Sequence, residues 1–350
     1  MQWRRIIYAT AFLVILCGCQ IDPPLHLRQS LSVVVNVLWK AEVYPEGIKP
    51  DGVTLYFFRE GEFYMQHTTS NVDSCVVQLA PGRYRLFMIS QSPEEYWKME
   101  FSDMTDFENA RVSVAETKSS WYSRADDNEV LINNPEVMTA GVSEEFEVSE
   151  ELVTQYYKEL AESGEDVAGH IHYYTIRVPV HPRSIVSQFW VSIYSDNVDM
   201  LKSVRASTTG MARTYLLTYD RTGDEEATQI ISEWNLEIDD PDKQIGHLDG
   251  RITTFGFPRG ELPDPKRDPS LNVSTLLVDN KTVEDYIFYV GDRITLEDPP
   301  EGYRHLYRLI FGSVFEPAIH PSDVQPAEGS GGFTAGVTDW DNETVSAIDI

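Results

Sequence analysis

Leu16-Cys17-Gly18-Cys19 puts a thiol directly after a small residue, at the end of an apolar run from Ile6 to Leu16 that follows Arg4 and Arg5. A basic start, a short apolar stretch and a small residue before the cleavage point make an export signal, and the run is too short to span a bilayer. With Cys19 as the first residue after cleavage, the chemistry is transfer of a diacylglycerol to its sulfur. Two or three acyl chains, at about 0.8 kcal/mol per buried methylene, hold a protein on a membrane. Residues 1–18 therefore read as a lipoprotein signal peptide, Cys19 as the lipidation site, and 19–30 as a polar tether carrying Asp22-Pro23-Pro24.

A second spacing with chemical potential is His170-Ile171-His172, which puts two imidazoles on one face of a predicted strand as a metal pair, with His181 beyond Pro179 as a third ligand. The spacing is common in strands, and no carboxylate has a defined position beside it. The expectation is no bound metal and no cofactor, with His170 and His172 the weak candidates. Paired acids (Glu94-Glu95, Asp126-Asp127, Asp239-Asp240) have the composition of glycosidase carboxylates or calcium ligands, but in a chain this acidic they read as solvated loops. Trp97, Trp121, Trp190, Trp234 and Trp340 are spread over many segments and read as core more than as a sugar-stacking platform. The sequence has no Gly-x-Ser-x-Gly elbow, no Gly-rich phosphate loop and no His-Glu-x-x-His helix. No catalytic residue is assigned, and the expectation is a protein that is not an enzyme.

The elements around these residues are mostly strands. The chain has 350 residues, 56 acidic and 28 basic, and a net charge of −28 that becomes two units more negative when Arg4 and Arg5 leave with the signal. Such a surface repels nucleic acid and anionic headgroups, so membrane contact falls to the lipid. Of three cysteines, Cys17 leaves and Cys19 is acylated, so Cys75 stands alone in an apolar alternation as a buried structural thiol. Strands are predicted over Leu31–Trp39, Val53–Phe58, Cys75–Leu79 and Tyr84–Ile89, the last two joined as a hairpin through Ala80-Pro81-Gly82-Arg83, with weaker ones at Arg111–Val114 and Glu129–Ile132. One helix follows: Ser149 caps it, Glu150 and Glu151 suit its positive end, and Leu152, Val153, Tyr156, Tyr157 and Leu160 recur at helical spacing before Gly164. The domain junction is placed just after it, at Asp166.

A second set of strands is predicted over Ile171–Val178, Phe189–Tyr194, Thr214–Tyr219, Ile230–Ile238, Arg251–Phe257, Val273–Val278, Tyr286–Val290 and Tyr307–Phe311. Pro258–Pro269 and Pro317–Gly332 read as surface loops. The fold class is mainly β: two β-sandwich domains in tandem, 31–166 and 167–350, with one short helix near their junction.

Four segments of the second half together resemble the lipoprotein anchors and minor subunits of type V fimbriae in Bacteroidales. Ser203-Val204-Arg205-Ala206-Ser207-Thr208-Thr209-Gly210-Met211-Ala212 is similar to that family's strand-turn motif, and Arg251-Ile252-Thr253-Thr254-Phe255-Gly256-Phe257 to its Thr-Phe-Gly strand. Tyr286 to Ile294 is similar to its aromatic strand, although Val290-Gly291 replaces a family glycine-threonine. Gly331-Gly332-Phe333 through Val337-Thr338-Asp339-Trp340 to Ile348-Asp349-Ile350 is similar to its closing Val-x-x-Trp pattern. The start of the mature chain, Cys19 to Leu27, resembles a group of uncharacterised Bacteroides lipoproteins of similar length.

The resemblance implies transthyretin-like sandwiches and a non-enzymatic role as fimbrial anchor or minor subunit at the outer membrane, on its periplasmic or cell-surface face. The partners implied are fimbrial subunits, joined by complementation of β-strands. The terminal segment alternates apolar and polar residues, and two roles stay open for it. It is the last strand of its own domain, or a partner-facing strand that presents Val337, Trp340, Val345 and Ile348. A surface glycan-binding or nutrient-capture lipoprotein is the alternative function.

Overall fold

The structure is a computed structural model and describes residues 30–40, 49–119, 129–163, 174–262, 270–329 and 333–334. The fold is mainly β, with five sheets and, among the described residues, one α-helix. No helix among those residues is long and apolar enough to cross a membrane.

Leu31–Val37 alternates β-branched or apolar residues with polar ones, and the buried set is Leu31, Val33, Val35 and Val37. It is the middle of a three-stranded sheet, antiparallel to Ser74–Leu79 and parallel to Ile176–Val180. The predicted division at Asp166 lies outside the described residues. Ile176–Val180, beyond it in sequence, completes a sheet begun by Leu31–Val37. Facing this sheet is a six-stranded one in which Val53–Arg59 and Gly82–Ser90 lie side by side, flanked by Glu62–Thr69 and Thr139–Val142. The two sheets enclose a core of Val33, Val35, Leu55, Phe57, Leu86 and Met88 among others.

The six-stranded sheet is buried on its other face as well. Tyr56, Phe58, Phe87 and Ile89 point away from the first core into a second one, shared with Val112, Val114, Tyr215 and Phe255. This explains why Val53–Phe58 reads as a continuous apolar run rather than an alternation: a strand covered on both faces has no polar side to show. Each fully buried aromatic there contributes about 2–3 kcal/mol of transfer free energy. A four-stranded sheet of Met99–Ser102, Arg111–Val114, Thr214–Leu216 and Arg221–Thr222 carries the second core.

Two five-stranded sheets close around a third core containing Phe189, Val191, Val204, Ala206, Trp234, Leu248, Val273 and Leu309. One has the order Trp234–Asp240, Ile245–Thr254, Ser187–Ser195, Leu306–Phe311, Thr295–Glu297. The other runs Val283–Tyr289, Ser270–Leu277, Leu201–Ala212, Glu226–Ile231, Leu131–Ile132. The segment Ser203–Ala212 belongs to one twelve-residue strand that is bulged between Thr208 and Met211, where Gly210 takes φ +71°.

The helix spans Glu150–Ser163. Ser149 Oγ accepts from the Leu152 amide at 3.2 Å, and Val153, 1% exposed, seats the helix on the first core with Leu152, Tyr156 and Tyr157. Gly164, its predicted stop, lies outside the described residues.

Two strand readings are corrected. Ser74–Leu79 and Gly82–Ser90 do not form a hairpin: the first pairs with Leu31–Val37 and the second with Val53–Arg59, in opposing sheets. Ala80-Pro81 is a corner between layers, held by Tyr84 Oη donating to the Ala80 carbonyl at 2.8 Å. Ile230–Ile238 is not one strand either. Glu226–Ile231 and Trp234–Asp240 belong to different sheets, and the chain crosses between them at Ser232-Glu233.

Candidate functional site: an open sheet edge and a polar cleft

Cys19, His170, His172, Val337, Trp340, Val345 and Ile348 all lie outside the described residues. His181, weighed as a third metal ligand, is exposed on the wall of a cleft. Among the described residues no three His, Cys, Asp or Glu side chains are placed to hold a metal ion. His247 gathers acids without forming such a site: its Nδ1 is 2.8 Å from Asp239, while Asp249 and Glu237 are 3.6 and 3.8 Å from Nε2. Of the paired acids, Glu95 accepts from the Ser92 amide, and Asp240 pairs with Lys243 at 3.0 Å. Asp126-Asp127 lies outside the described residues.

Trp234 is buried in the third core and Trp190 is half-buried under Arg251, whose guanidinium is 4.2 Å from the ring centroid. Trp97 contradicts the core reading, at 89% exposed. Trp121 and Trp340 lie outside the described residues. Cys75 is 5% exposed, and burial pushes its thiol up to about 11, out of the range where a thiolate forms at neutral pH.

The cleft, about 580 Å³, opens where Thr139–Val142 and Ile176–Val180 approach the turn at Leu217–Asp220. Asp220, held at φ +52°, is its fixed point. Its carboxylate accepts from Arg304 at 2.6 Å, from Tyr215 Oη at 2.8 Å and from Arg183 at 3.3 Å. Arg304 also donates to Tyr215 Oη at 2.7 Å. Burial pushes the Tyr215 phenol well above its ordinary range, with Arg304 pulling the other way. Burial opposes the charge of Arg304, but the hydrogen bond to Asp220 and the electrostatic attraction of Tyr215, Asp220 and Tyr307 together offset it, so its pKa lies above the usual value. A phenol and a guanidinium locked in their ordinary protonation states hold parts together and supply neither nucleophile nor base. The network ties the strand Arg183–Ser184, which pairs with Thr139–Val142, to the segment leading into the strand Leu306–Phe311.

The open edge is Val283–Tyr289. It pairs on one side with Ser270–Leu277, and it ends its sheet. The Leu277 amide donates to the Thr282 carbonyl at 2.9 Å, which makes Leu277 and Thr282 a hydrogen-bonded pair. Hydrogen-bonded and non-bonded pairs alternate along an antiparallel ladder. Val283, Asp285, Ile287 and Tyr289 therefore turn their amides and carbonyls outward, away from the partner strand. Among the described residues nothing takes those groups.

The side chains fit an interface as well. Phe288 stacks on Phe311 with ring centroids 4.3 Å apart, and Tyr286 packs on the same core. Ile287 and Tyr289 are 52% and 64% exposed on the outer face. A seven-residue edge with two exposed apolar side chains and no proline is a template for another strand. The sequence pattern predicts this strand over Tyr286–Val290 but carries no sign that it ends a sheet.

A family model described as a domain of unknown function, DUF5119, matches residues 26–232. Among solved structures, the chain is similar to a proposed adhesin from Bacteroides ovatus, at 13% identity over 75% of this chain and 83% of that one, with a TM-score of 0.49. It is similar to the fimbrial anchor protein Mfa2 of Porphyromonas gingivalis at 12% identity over 75% and 82%, TM-score 0.42. The tip fimbrial protein Mfa3 of the same organism, with a C-terminal truncation, is 12% identical over 80% and 94%, TM-score 0.36. No curated protein matches the sequence.

Proposed function

Given that the chain belongs to the DUF5119 family, we propose that it is a lipid-anchored envelope protein of the outer membrane, acting as an anchor or minor subunit of a fimbrium. In this reading Cys19 carries the lipid, and the two β-sandwich domains follow the tether. The role is not enzymatic: a partner subunit adds a strand along Val283–Tyr289. The alternating residues Val337, Trp340, Val345 and Ile348 are a second, partner-facing element of the same reading. The motifs between Ser203 and Ile350 support the fimbrial assignment, and the open edge with Ile287 and Tyr289 on it is the observation that carries strand addition. The glycan-capture alternative asks for a stacking platform, and Trp97 is a single exposed ring while Arg251 covers Trp190.

The test is Ile287→Pro. It removes an outward-facing amide while leaving every hydrogen bond to Ser270–Leu277 in place, and proline is tolerated on edge strands. Cells complemented with the variant are expected to make the protein at normal level and to carry fewer, shorter or detached fimbriae. Fimbriae normal in number, length and attachment would remove this reading.

A further inference from the structure

The cleft beside Asp220 takes no part in strand addition. Its volume, about 580 Å³, lies within the range of about 300–1,000 Å³ that small-molecule sites occupy. Its two walls have opposite hydrogen-bonding character. Glu144 and Glu145, just beyond Thr139–Val142, bring carboxylates, which only accept. Arg177, on Ile176–Val180, and Arg183 bring guanidinium groups, which only donate, with the exposed His181 between them in sequence. Among the described residues Arg177, His181, Glu144 and Glu145 have no hydrogen-bond or salt-bridge partner, so the two walls do not satisfy each other.

The frame that holds these walls is fixed. Asp220 is already engaged by Arg304, Tyr215 and Arg183. A Cβ on Gly141 would come within 2.9 Å of Val180 Cγ1 and 3.1 Å of the Pro182 backbone, so the two walls touch there and their separation is set. Tyr219 adds one aromatic face: it is 49% exposed, and its Oη donates to Glu108. Arg221 stands 5.6 Å from that ring centroid, against 4.2 Å for Arg251 over Trp190, so the Tyr219 ring is the less covered of the two. Charge then selects the ligand class. Arg177, Arg183 and Arg304 balance Glu144, Glu145 and Asp220, which leaves no net pull on an anion or a cation. A group that meets an accepting wall and a donating wall together must donate and accept, and a hydroxyl does both. A ring that carries such hydroxyls on its rim and C–H bonds on its face also packs on an aromatic side chain.

We propose that this cleft binds one uncharged sugar residue, with neighbouring hydroxyls held between Glu144 and Arg177 and the ring face on Tyr219. The site goes beyond strand addition at Val283–Tyr289 and does not depend on it. A single ring in a cleft suits one residue of a glycan, whereas capture of a chain asks for a platform of several.

The test is saturation-transfer NMR on the full mature chain carrying Cys19→Ser. The probes are the methyl glycosides of glucose, galactose, mannose, fucose, N-acetylglucosamine and N-acetylgalactosamine, with glucuronic acid and glucosamine as charged counterparts. At least one neutral glycoside is expected to receive saturation at its ring C–H protons. Its Kd is expected to rise about tenfold in Glu144→Gln and in Arg177→Gln, each of which removes one charge-assisted hydrogen bond. Tyr219→Ala is expected to abolish the transfer, and Tyr219→Phe, which keeps the ring, to retain it. All three side chains are exposed, and an unchanged Tm separates loss of the site from loss of the fold. No transfer to any neutral glycoside would overturn the proposal. So would an affinity unchanged in Glu144→Gln, Arg177→Gln or Tyr219→Ala, or tighter binding of a charged sugar than of every neutral one. Fimbriae are read separately: Arg177→Gln cells are expected to carry them normally and Ile287→Pro cells are not, so failure of one reading leaves the other standing.

Discussion

The sheet built on Val53–Arg59 and the sheet that ends in Val283–Tyr289 solve the same problem in opposite ways. The first is covered on both faces: Phe57 fills one core and Phe87 the next. Around it the edges are blunted. Ile176–Val180 shows Arg177 and Pro179, and Glu62–Thr69 shows Glu62, Gln66 and Thr68, while its exposed ring, Phe63, leans on Phe58. The second sheet ends in a full-length strand with outward backbone groups and with Ile287 and Tyr289 exposed. A sheet enclosed on both faces gains stability and gives up any surface for a partner. A sheet with one unprotected edge keeps a hydrogen-bonding template at the cost of partial burial of Tyr286 and Phe288.

That contrast is open to direct attack. Phe57→Ala and Phe87→Ala are each expected to cost about 3–5 kcal/mol in urea unfolding, because neither site can collapse. Phe288→Ala, on a half-buried edge, is expected to cost about 1–2 kcal/mol. Equal costs at Phe288 and Phe57 would mean that the edge is as enclosed as the double-faced sheet.

A middle-sized effect is expected where the two regions meet. Asp220→Ala leaves Arg304 and the Tyr215 hydroxyl without their acceptor and is expected to cost about 1–3 kcal/mol. Arg183→Ala, which removes the exposed partner of the same carboxylate, is expected to cost under about 1 kcal/mol. Thermal unfolding of the two variants orders them, and an Arg183 effect as large as that of Asp220 would move the joint to the surface pair.

The smallest effect is a pH slope confined to the later region. Burial, and then the charge of Arg304, hold the His305 imidazole below its ordinary pKa. The unfolded chain takes up that proton near pH 6.5 while the folded chain resists it, so stability is fully present above about pH 6.5 and declines as the pH falls below it. His305→Gln is expected to flatten the dependence of Tm between pH 7.5 and 5.5. Identical slopes in the two proteins would show that His305 is not a source of acid sensitivity.

Much of the fold was legible in residue order. The alternation of Leu31–Val37, the apolar run of Val53–Phe58 and the capped helix at Ser149 all lie where local pattern puts them. Glu62–Thr69 is not legible because Phe63, Tyr64 and Met65 are consecutive and the rest of the strand is polar, so no period-two alternation marks it. Pro81-Gly82 has the pattern of a hairpin because turn chemistry encodes a change of direction, and a corner between layers uses the same residues. Ile230–Ile238 has the pattern of one strand because apolar residues continue on both sides of Ser232-Glu233, which carries the chain from one sheet to the other. At the candidate site the strand was legible and its edge position was not. The Asp220 joint was not legible either: Arg183, Tyr215, Asp220 and Arg304 are brought together from three separate stretches of chain.

By itself the sequence determined where most of the strands lie, where the helix begins, and that the chain is strongly acidic. These follow from side-chain type and period, which are local. Tertiary structure alone decided which strands are neighbours, and that Val53–Arg59 is enclosed while Val283–Tyr289 is open. A period of two says which side chains share a face. It does not say which distant backbone will satisfy the amides between them, and an edge is defined by that missing neighbour.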